Sequence, residues 1–263
     1  MKAAGSRTNS PPSKVPTLRI VSIIAAITIV LGAGLFAWSR LEQFLMRDPR
    51  FALNGADGSQ ETQTLDVTGA SHASRRQIES VFGEDSGRSV YLMPMSDRRS
   101  TLRTVGWVKD ASIARLWPNR VLVRINERTP VAFVELAASK YALIDEDGVL
   151  LPPVTDRFAV PVLAGVQPSD SAADRRDRVH SMMRLMRDLD DAASKISEVD
   201  VSDADNLKVT QPFDGRMLTL LLGDQHWGAR YQNFLRNYPE IKRRLPEATK
   251  LDMRLEDRIT VVE

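Results

Sequence analysis

The chain has 263 residues, of which 27% are charged and 43% are hydrophobic, and it contains no cysteine. The absence of cysteine excludes disulfides and thiolate metal sites, so stability has to come from hydrophobic cores. The net charge is +2, and four of the 36 basic residues lie within the first 19 residues. The remainder is close to neutral, which argues against a nucleic-acid-binding protein, because such proteins carry a clustered basic face.

An uncharged run of 20 residues, Ile20 to Ser39, follows an N-terminal segment (1–19) whose Ser, Pro and Lys content is typical of a disordered tail. A helix of that length spans the roughly 30 Å hydrocarbon core of a bilayer. Trp38 fits an interfacial anchor at its outer end. Because the basic residues precede the run, we expect a cytoplasmic N terminus and an extracytoplasmic chain beyond Arg40.

A cleavable signal peptide is the alternative for this segment, and Ala37-Trp38-Ser39 has the small-x-small form of a cleavage site. The apolar stretch of a signal peptide is about 7 to 15 residues long, however, which is shorter than this run. The sequence therefore favours a retained transmembrane helix over 20–39.

Residues 40–63 predict a helical extension that ends at Pro49 and then a loop. Residues 64–128 predict a first domain in the order strand, helix, helix, strand, strand. Ser74 with Gln77 forms a capping box for the first of these helices. The two last strands form a hairpin around the turn Trp117–Arg120, which we interpret as structural in preference to a binding site.

The hairpin is expected to pack its apolar face on the two short helices of this domain. The residues expected in that core are Trp107, Ile113 and Val121 to Ile125 on the strands, and Ile78, Phe82 and Leu102 on the helical side.

Residues 129–263 predict a second, mixed α/β domain with an extended antiparallel sheet, which makes the whole chain α+β. Amphipathic helices are expected over 170–191 and 229–244. Strands are expected at 131–136, 141–144, 196–201, 207–210 and 217–222. Residues 250–262 are expected to form one long strand or two short ones.

Catalytic and metal-binding patterns do not emerge. The three histidines, His72, His180 and His226, lie in different predicted elements without ligand spacing, so surface or core roles are favoured over metal binding. The acidic stretch Asp145–Gly148 lacks the closing Glu of a calcium loop and predicts a hairpin turn. We therefore expect no catalytic, metal or cofactor site, and no enzymatic activity.

Several segments nevertheless resemble a known family in their sequence and order. The most specific is the stretch Gly106–Val121, which runs into Val123–Ala132 with an E-R-x-P-x-A junction. Further matching segments are Leu65–Gly69, Leu143–Leu150, Leu222-Gly223 and Leu251–Arg254. In this order, and behind a single anchor, they resemble the FtsQ (DivIB) family of bacterial cell division proteins over nearly the whole chain past residue 18.

The resemblance implies a POTRA domain after the anchor, a C-terminal β domain and a scaffold function at the division septum of the inner membrane. It also implies binding of FtsB and FtsL by the C-terminal domain and of FtsK by the POTRA domain. A POTRA-containing tether or chaperone-like component of protein export is the alternative. Such export proteins carry a cleaved signal and a long series of barrel strands, which this chain does not predict.

The resemblance places the partner site in the terminal segment, with Leu255 and Ile259 as side-chain anchors. The predicted site residues are Leu251, Asp252, Met253, Arg254, Leu255, Glu256, Arg258, Ile259 and Val261. The alternative is that Arg254, Glu256, Asp257 and Arg258 protect an exposed sheet edge from aggregation.

Overall fold

The structure, a computed structural model, describes residues 17–53, 64–137, 140–255 and 258–262. The described residues divide into two compact units. The first draws on the ranges 1–66, 82–95 and 113–122, and the second on 67–81, 96–112 and 123–263.

The α-helices are α1 (Thr17–Arg47), α2 (Arg75–Ser80), α3 (Met95–Leu102), α4 (Ala172–Leu189) and α5 (Trp227–Arg244). Short 3₁₀ helices cover Pro49–Phe51, Gly83–Asp85 and Asp190–Lys195. The strands of the N-terminal half are β1 (Leu65–Thr68), β2 (Val108–Leu116), β3 (Arg120–Glu127), β4 (Pro130–Ala137), β5 (Lys140–Asp145) and β6 (Leu150–Leu151). The remaining strands are β7 (Val162–Ala164), β8 (Glu198–Asp200), β9 (Leu207–Phe213), β10 (Arg216–Gly223), β11 (Lys250–Asp252) and β12 (Thr260–Val261).

Helix α1 contains the predicted anchor, including Ile20 and Trp38. Over Val21–Met46 it is long and apolar enough to cross a membrane, and none of that stretch is buried in the protein. It continues past residue 40 and ends just before Asp48, whose carboxylate accepts a hydrogen bond from the Arg50 backbone N–H and caps the following 3₁₀ turn. The helix thus continues into the region where the sequence predicts an extension. The predicted tail up to residue 16 and the loop over 54–63 lie outside the described residues.

The predicted order strand, helix, helix, strand, strand is confirmed, and β1, β3 and β2 form a sheet in that spatial order. Helix α2 begins where the capping pattern predicts, because the Ser74 side chain accepts a hydrogen bond from the Gln77 backbone N–H. Most of the expected core residues are buried, namely Ile78, Phe82, Leu102, Val121, Val123 and Ile125, whereas Ile113 is half-buried.

Trp107 is also buried, but its contacts differ from the expected sheet-to-helix packing. Its indole stacks on the His72 ring at 4.7 Å and lies 5.9 Å from the Phe158 ring. The indole Nε1–H donates a hydrogen bond of 2.9 Å to the carbonyl oxygen of Pro152. Trp107 therefore joins the start of β2 to the segment that follows β6. Its φ of 71° is uncommon for a residue other than glycine.

His72 completes this junction with two ion pairs. Its Nδ1 lies 2.9 Å from a Glu127 carboxylate oxygen, and its Nε2 lies 2.9 Å from an Asp156 carboxylate oxygen. Both ring nitrogens donate only in the imidazolium form. The hydrogen bond to Glu127 accordingly raises the pKa of His72, although desolvation opposes this. Neither Asp156 nor Phe158 carries a sequence pattern that marks it, since both lie in an irregular segment.

In the described part of the second domain, nine strands form one mixed sheet in the order β12-β11-β10-β9-β8-β7-β4-β5-β6. The described antiparallel pairs are accompanied by the parallel pairs β10–β11, β4–β7 and β7–β8. Helices α4 and α5 contribute Val179, Leu185, Tyr231 and Phe234 to its hydrophobic core. The predicted mixed α/β domain is therefore confirmed, with parallel as well as antiparallel pairing.

The acidic stretch Asp145–Gly148 forms the predicted turn. The buried Asp145 carboxylate accepts hydrogen bonds from the backbone N–H groups of Asp147 and Val149, and it pairs with Arg128. Gly148 closes the turn at φ 76°, where a Cβ would also lie only 2.5 Å from the Arg176 backbone nitrogen. The carboxylate of Asp145 therefore stabilises the turn.

Candidate partner-binding site

The terminal segment forms one edge of the nine-stranded sheet. Among the described residues it contains two short strands, which was one of the two expected outcomes. Strand β11 runs parallel to β10, and β12 folds back antiparallel on β11 with Leu251 opposite Val261. The edge is therefore β12.

The pairing of β12 shows which of its backbone groups point away from the sheet. The Val262 backbone N–H donates a hydrogen bond of 3.1 Å to the Lys250 carbonyl oxygen. In an antiparallel ladder, successive residues direct their backbone groups alternately toward and away from the neighbouring strand. The N–H and C=O groups of Val261 therefore face outward, in the position that an added strand would use.

The opposite edge of the sheet, β6, is built differently. The two residues that follow it are Pro152 and Pro153, neither of which has a backbone N–H to donate. Proline at a sheet edge prevents the addition of another strand. The residues 258–262, in contrast, contain no proline. Of the two edges, β12 is therefore the one suited to pairing with a partner.

The predicted site residues separate into a buried and an exposed set. Leu251 and Met253 are each 1% exposed, and Ile259 packs against the domain core. These three side chains therefore attach the sheet edge to the core. Leu255 is 54% exposed and Val261 is 39% exposed. Arg254 and Arg258 are also exposed, Asp252 is half-buried, and Glu256 lies outside the described residues. Among the described residues of the predicted site, the exposed side chains are therefore those of Arg254, Leu255, Arg258 and Val261.

Arg254 is fixed in place by Asp252. Its NH2 group donates to one Asp252 carboxylate oxygen at 2.6 Å, and its Nε donates to the other at 2.9 Å. These hydrogen bonds lower the pKa of Asp252 and keep the carboxylate charged. A paired Arg loses less side-chain freedom when it binds a ligand, so this guanidinium is preorganised beside the edge.

A second arginine, Arg230, reaches the same place from α5. Its NH1 donates a hydrogen bond to the Leu222 carbonyl oxygen, and the side chain is only 9% exposed. A Cβ at Gly223 would lie 2.5 Å from Arg230 NH1 and 3.4 Å from Arg254 Cγ. The two arginines thus flank Gly223 at the end of β10, and each has a carboxylate partner, Asp252 for Arg254 and Asp224 for Arg230.

Sequence reasoning did not single out Arg230. The sequence feature that could have identified it is its place directly before Tyr231 on the buried face of α5. A charged side chain is unusual there unless it is paired or hydrogen-bonded.

Comparison with known proteins places both parts of the chain in one family. Residues 61–128 match the family described as POTRA domain, FtsQ-type, and residues 132–254 match that described as Cell division protein FtsQ/DivIB, C-terminal. The second match includes Arg254 and ends before Leu255.

The chain is also similar to curated proteins named Cell division protein FtsQ. It is 29% identical to that of Koribacter versatilis over 92% of this chain and 69% of the relative. It is 25% identical to that of Myxococcus fulvus over 67% of this chain and 62% of the relative. It is 26% identical to that of Bradyrhizobium diazoefficiens over 66% of this chain and 54% of the relative. The alignments thus span between about half and two thirds of these relatives.

The fold and the matches define a class: a cell division protein with one apolar N-terminal helix, a POTRA domain and a C-terminal domain with a large mixed sheet. The chain belongs to the FtsQ/DivIB family of bacterial cell division proteins.

Proposed function

We propose that the chain is a single-pass scaffold of the bacterial division machinery in the inner membrane, located at the septum, with a cytoplasmic N terminus and extracytoplasmic domains. In this function it links early and late division proteins by binding and carries out no reaction. Its FtsB and FtsL partners bind at the β12 edge, and FtsK binds through the POTRA domain. The basic tail before an uncharged 20-residue run supports this topology.

The observation that supports the FtsB and FtsL site best is the chemistry of the β12 edge. The backbone groups of Val261 face outward, and the exposed Leu255 and the paired Arg254 belong to the segment that joins β11 to β12. An added strand gains affinity from backbone hydrogen bonds and specificity from neighbouring side chains. The exposed side chains of Arg254 and Arg258 favour a partner segment with acidic residues. A shared membrane raises the effective concentration of such partners without new contacts.

The test uses a matched pair of substitutions at one position. Val261→Pro removes the outward-facing N–H, whereas Val261→Ala shortens the side chain and keeps that N–H. Proline is tolerated on edge strands, so the domain is expected to stay folded. We expect FtsB–FtsL to co-purify with the proline variant at least tenfold less than with the alanine variant, as measured on the full chain in detergent.

A circular dichroism spectrum equal to that of the unchanged protein is the control for folding. Equal recovery of FtsB–FtsL with both variants would show that backbone pairing at β12 is not how the partner binds.

A second pair of substitutions tests the side chains of the edge. Leu255→Asp places a charge at an exposed apolar position, and Arg254→Glu reverses the charge beside Gly223. Both are expected to weaken FtsB–FtsL binding, and the loss with Arg254→Glu should shrink at high salt because exposed charge interactions are screened. Arg243→Glu on α5, where the side chain is 73% exposed, is the control for a general effect of charge reversal. Equal losses with Arg243→Glu and Arg254→Glu would argue against a specific site.

A further inference from the structure

A cluster of aromatic side chains lies at the outer end of α1, within the first unit. The ring of Phe51 is 3% exposed and contacts three other rings. The centroid distances are 5.5 Å to Phe44, 5.6 Å to Tyr91 and 6.4 Å to Trp117. Since Phe44 is a residue of α1 itself, this cluster connects the turn Trp117–Arg120 to the end of the membrane helix.

The length of α1 gives the depth of this cluster. The apolar stretch Val21–Met46 contains 26 residues. At about 1.5 Å per residue it is roughly 39 Å long, close to the 40–45 Å of a bilayer with its headgroup layers. Phe44, near the end of this stretch, is therefore at the level of the headgroups. The ring of Phe51 lies between Phe44 and Trp117 and contacts both, so Trp117 lies close to the headgroup level.

The side chains around the turn are unusually exposed for their type. Trp117 is 76% exposed, Leu92 is 49% exposed and Leu116 is 39% exposed. The Arg115 guanidinium joins the two segments that carry them, because it donates hydrogen bonds to the carbonyl oxygens of Val90 and Met93 at 2.7 and 2.6 Å. These exposed apolar side chains therefore lie on two segments that Arg115 holds together, and exposed apolar groups near one another are typical of an interaction site.

A cavity of about 470 Å³ lies between the turn and the end of α1. It is lined by Phe44, Pro49, Arg50, Phe51, Trp117, Pro118 and Asn119. Its walls are largely apolar and include one guanidinium, that of Arg50, which is paired with the Asp48 carboxylate at 2.8 Å. Such a lining suits the boundary between acyl chains and phosphate groups, where aromatic and basic side chains are enriched.

We propose that the turn Trp117–Arg120 docks into the headgroup region of the membrane that α1 spans, with Trp117 inserted at the interface. This rests on the proposed function in one respect, namely that α1 crosses the membrane. The bilayer surface is the occupant because the patch is continuous with the anchor through Phe44 and Phe51. An exposed tryptophan at headgroup depth is also the side chain typical of that interface.

Docking of the turn gives the first unit a second point of attachment to the bilayer. A single helix can rotate about its own axis, whereas a helix and a docked turn together fix the direction in which the unit faces.

The experiment measures depth on the full chain in vesicles of phosphatidylethanolamine and phosphatidylglycerol. Because the chain has no cysteine, single substitutions place a nitroxide label at one site each. Asn119→Cys reports the turn, Ile29→Cys reports the middle of α1, and Ala204→Cys reports an exposed loop of the second unit. The ratio of label collisions with oxygen to collisions with a water-soluble nickel chelate gives the depth.

We expect the label at position 119 to lie at an intermediate depth, between the deep label at position 29 and the solvent-exposed label at position 204. Adding Trp117→Ala to the Asn119→Cys protein should shift the ratio toward that at position 204. Trp117→Phe, which keeps an aromatic ring, should shift it less. Near-ultraviolet circular dichroism checks that the fold is retained.

A solvent-exposed label at position 119 beside a deep label at position 29 would overturn the docked turn and leave the anchor intact. A label at position 29 in solvent would refute the anchor and the docked turn together. Protection of position 119 that requires added FtsB–FtsL would show that a protein, and not the lipid, covers the patch.

Discussion

Two tryptophans flank strand β2, and their surroundings are opposite. Trp107, just before the strand, is 2% exposed, donates its indole N–H to Pro152 and stacks on His72. Trp117, just after the strand, is 76% exposed and meets Phe51 edge-on. Both belong to the stretch of sequence that most specifically resembles the family, yet one joins parts of the fold and the other is left for an outside contact. Burial and polar partners, not residue type, separate the two roles.

The largest expected effect comes from removing the buried member of the pair. Trp107→Ala leaves a cavity between His72 and Phe158 and an unpaired Pro152 carbonyl oxygen, and such truncations typically cost about 3 to 5 kcal/mol. Urea unfolding of the full chain in a nonionic detergent, followed by circular dichroism, measures this loss. Trp107→Phe keeps most of the ring stacking and loses only the hydrogen bond, so it should cost clearly less.

Trp107→Ala in a fragment covering 50–128 tests whether the loss of stability comes from the contacts with Pro152 and Phe158. Pro152 and Phe158 lie beyond this fragment, so Trp107 has lost these two partners before it is replaced. We therefore expect a smaller loss in the fragment than in the full chain. Equal losses would indicate that Trp107 stabilises the first sheet directly, as the sequence predicts.

The second prediction concerns the glycine beside Trp107. A Cβ on Gly106 would lie 2.4 Å from Pro152 Cγ, which belongs to a ring that cannot rotate away. Gly106→Ala should therefore cost about 1 to 3 kcal/mol, the usual range for overpacking. Gly83→Ala is the matched control, because a Cβ there has nothing within 4 Å. Similar unfolding free energies for the two variants would contradict a close junction at Gly106.

Local sequence patterns predict the elements of this fold well, and long-range contacts account for the differences. The capping pair Ser74 and Gln77, the uncharged run of α1 and the turn at Trp117–Arg120 are local signals, and each is where it was expected. The junction around Trp107 depends on Asp156 and Phe158, about 50 residues away in an irregular segment with no periodicity. Such pairing leaves no trace in a local pattern.

The candidate site shows the same division. The sequence places a strand at the end of the chain but does not reveal which of its residues are buried. In the structure Leu251 and Met253 belong to the domain core, whereas Leu255 and Val261 remain exposed. Arg230 reaches the edge from a different element, so its part in the site also requires the tertiary structure.

The third prediction concerns the protonation of His72. A rise in pH removes its positive charge and thereby weakens the junction around Trp107 without a substitution. The hydrogen bond to Glu127 raises the pKa of His72 in the folded chain above its unfolded value. A raised pKa stabilises the fold fully below the unfolded value of about 6.5, and this contribution is lost as the pH rises through the folded pKa. We therefore expect the free energy of unfolding to fall as the pH rises above the unfolded value of about 6.5 and through the raised pKa of His72 in the folded chain.

Glu127 determines how the free energy of unfolding changes at acidic pH. Desolvation raises its pKa, but hydrogen bonds led by that from the Ala73 backbone N–H outweigh it, so the pKa is lowered overall. A lowered pKa stabilises the fold above the unfolded value and is lost as the pH falls through the folded one. His72→Gln should flatten the decline at higher pH and keep that part of the acid limb which depends on the backbone N–H groups of Ser71, His72 and Ala73. A decline of unchanged size in His72→Gln would assign it to another group.

The smallest expected effect on stability is at the exposed tryptophan. Trp117→Ala removes a side chain that is already 76% in solvent and loses an edge contact with Phe51, so the free energy of unfolding in detergent should change by no more than about 0.5 kcal/mol. Urea unfolding beside Trp107→Ala, under identical conditions, measures the contrast. A loss comparable to that of Trp107→Ala would mean that the aromatic cluster at the end of α1 is part of the folding core. A near-silent substitution instead leaves Trp117 available for contact outside the chain, which is the condition for a docked turn at the membrane.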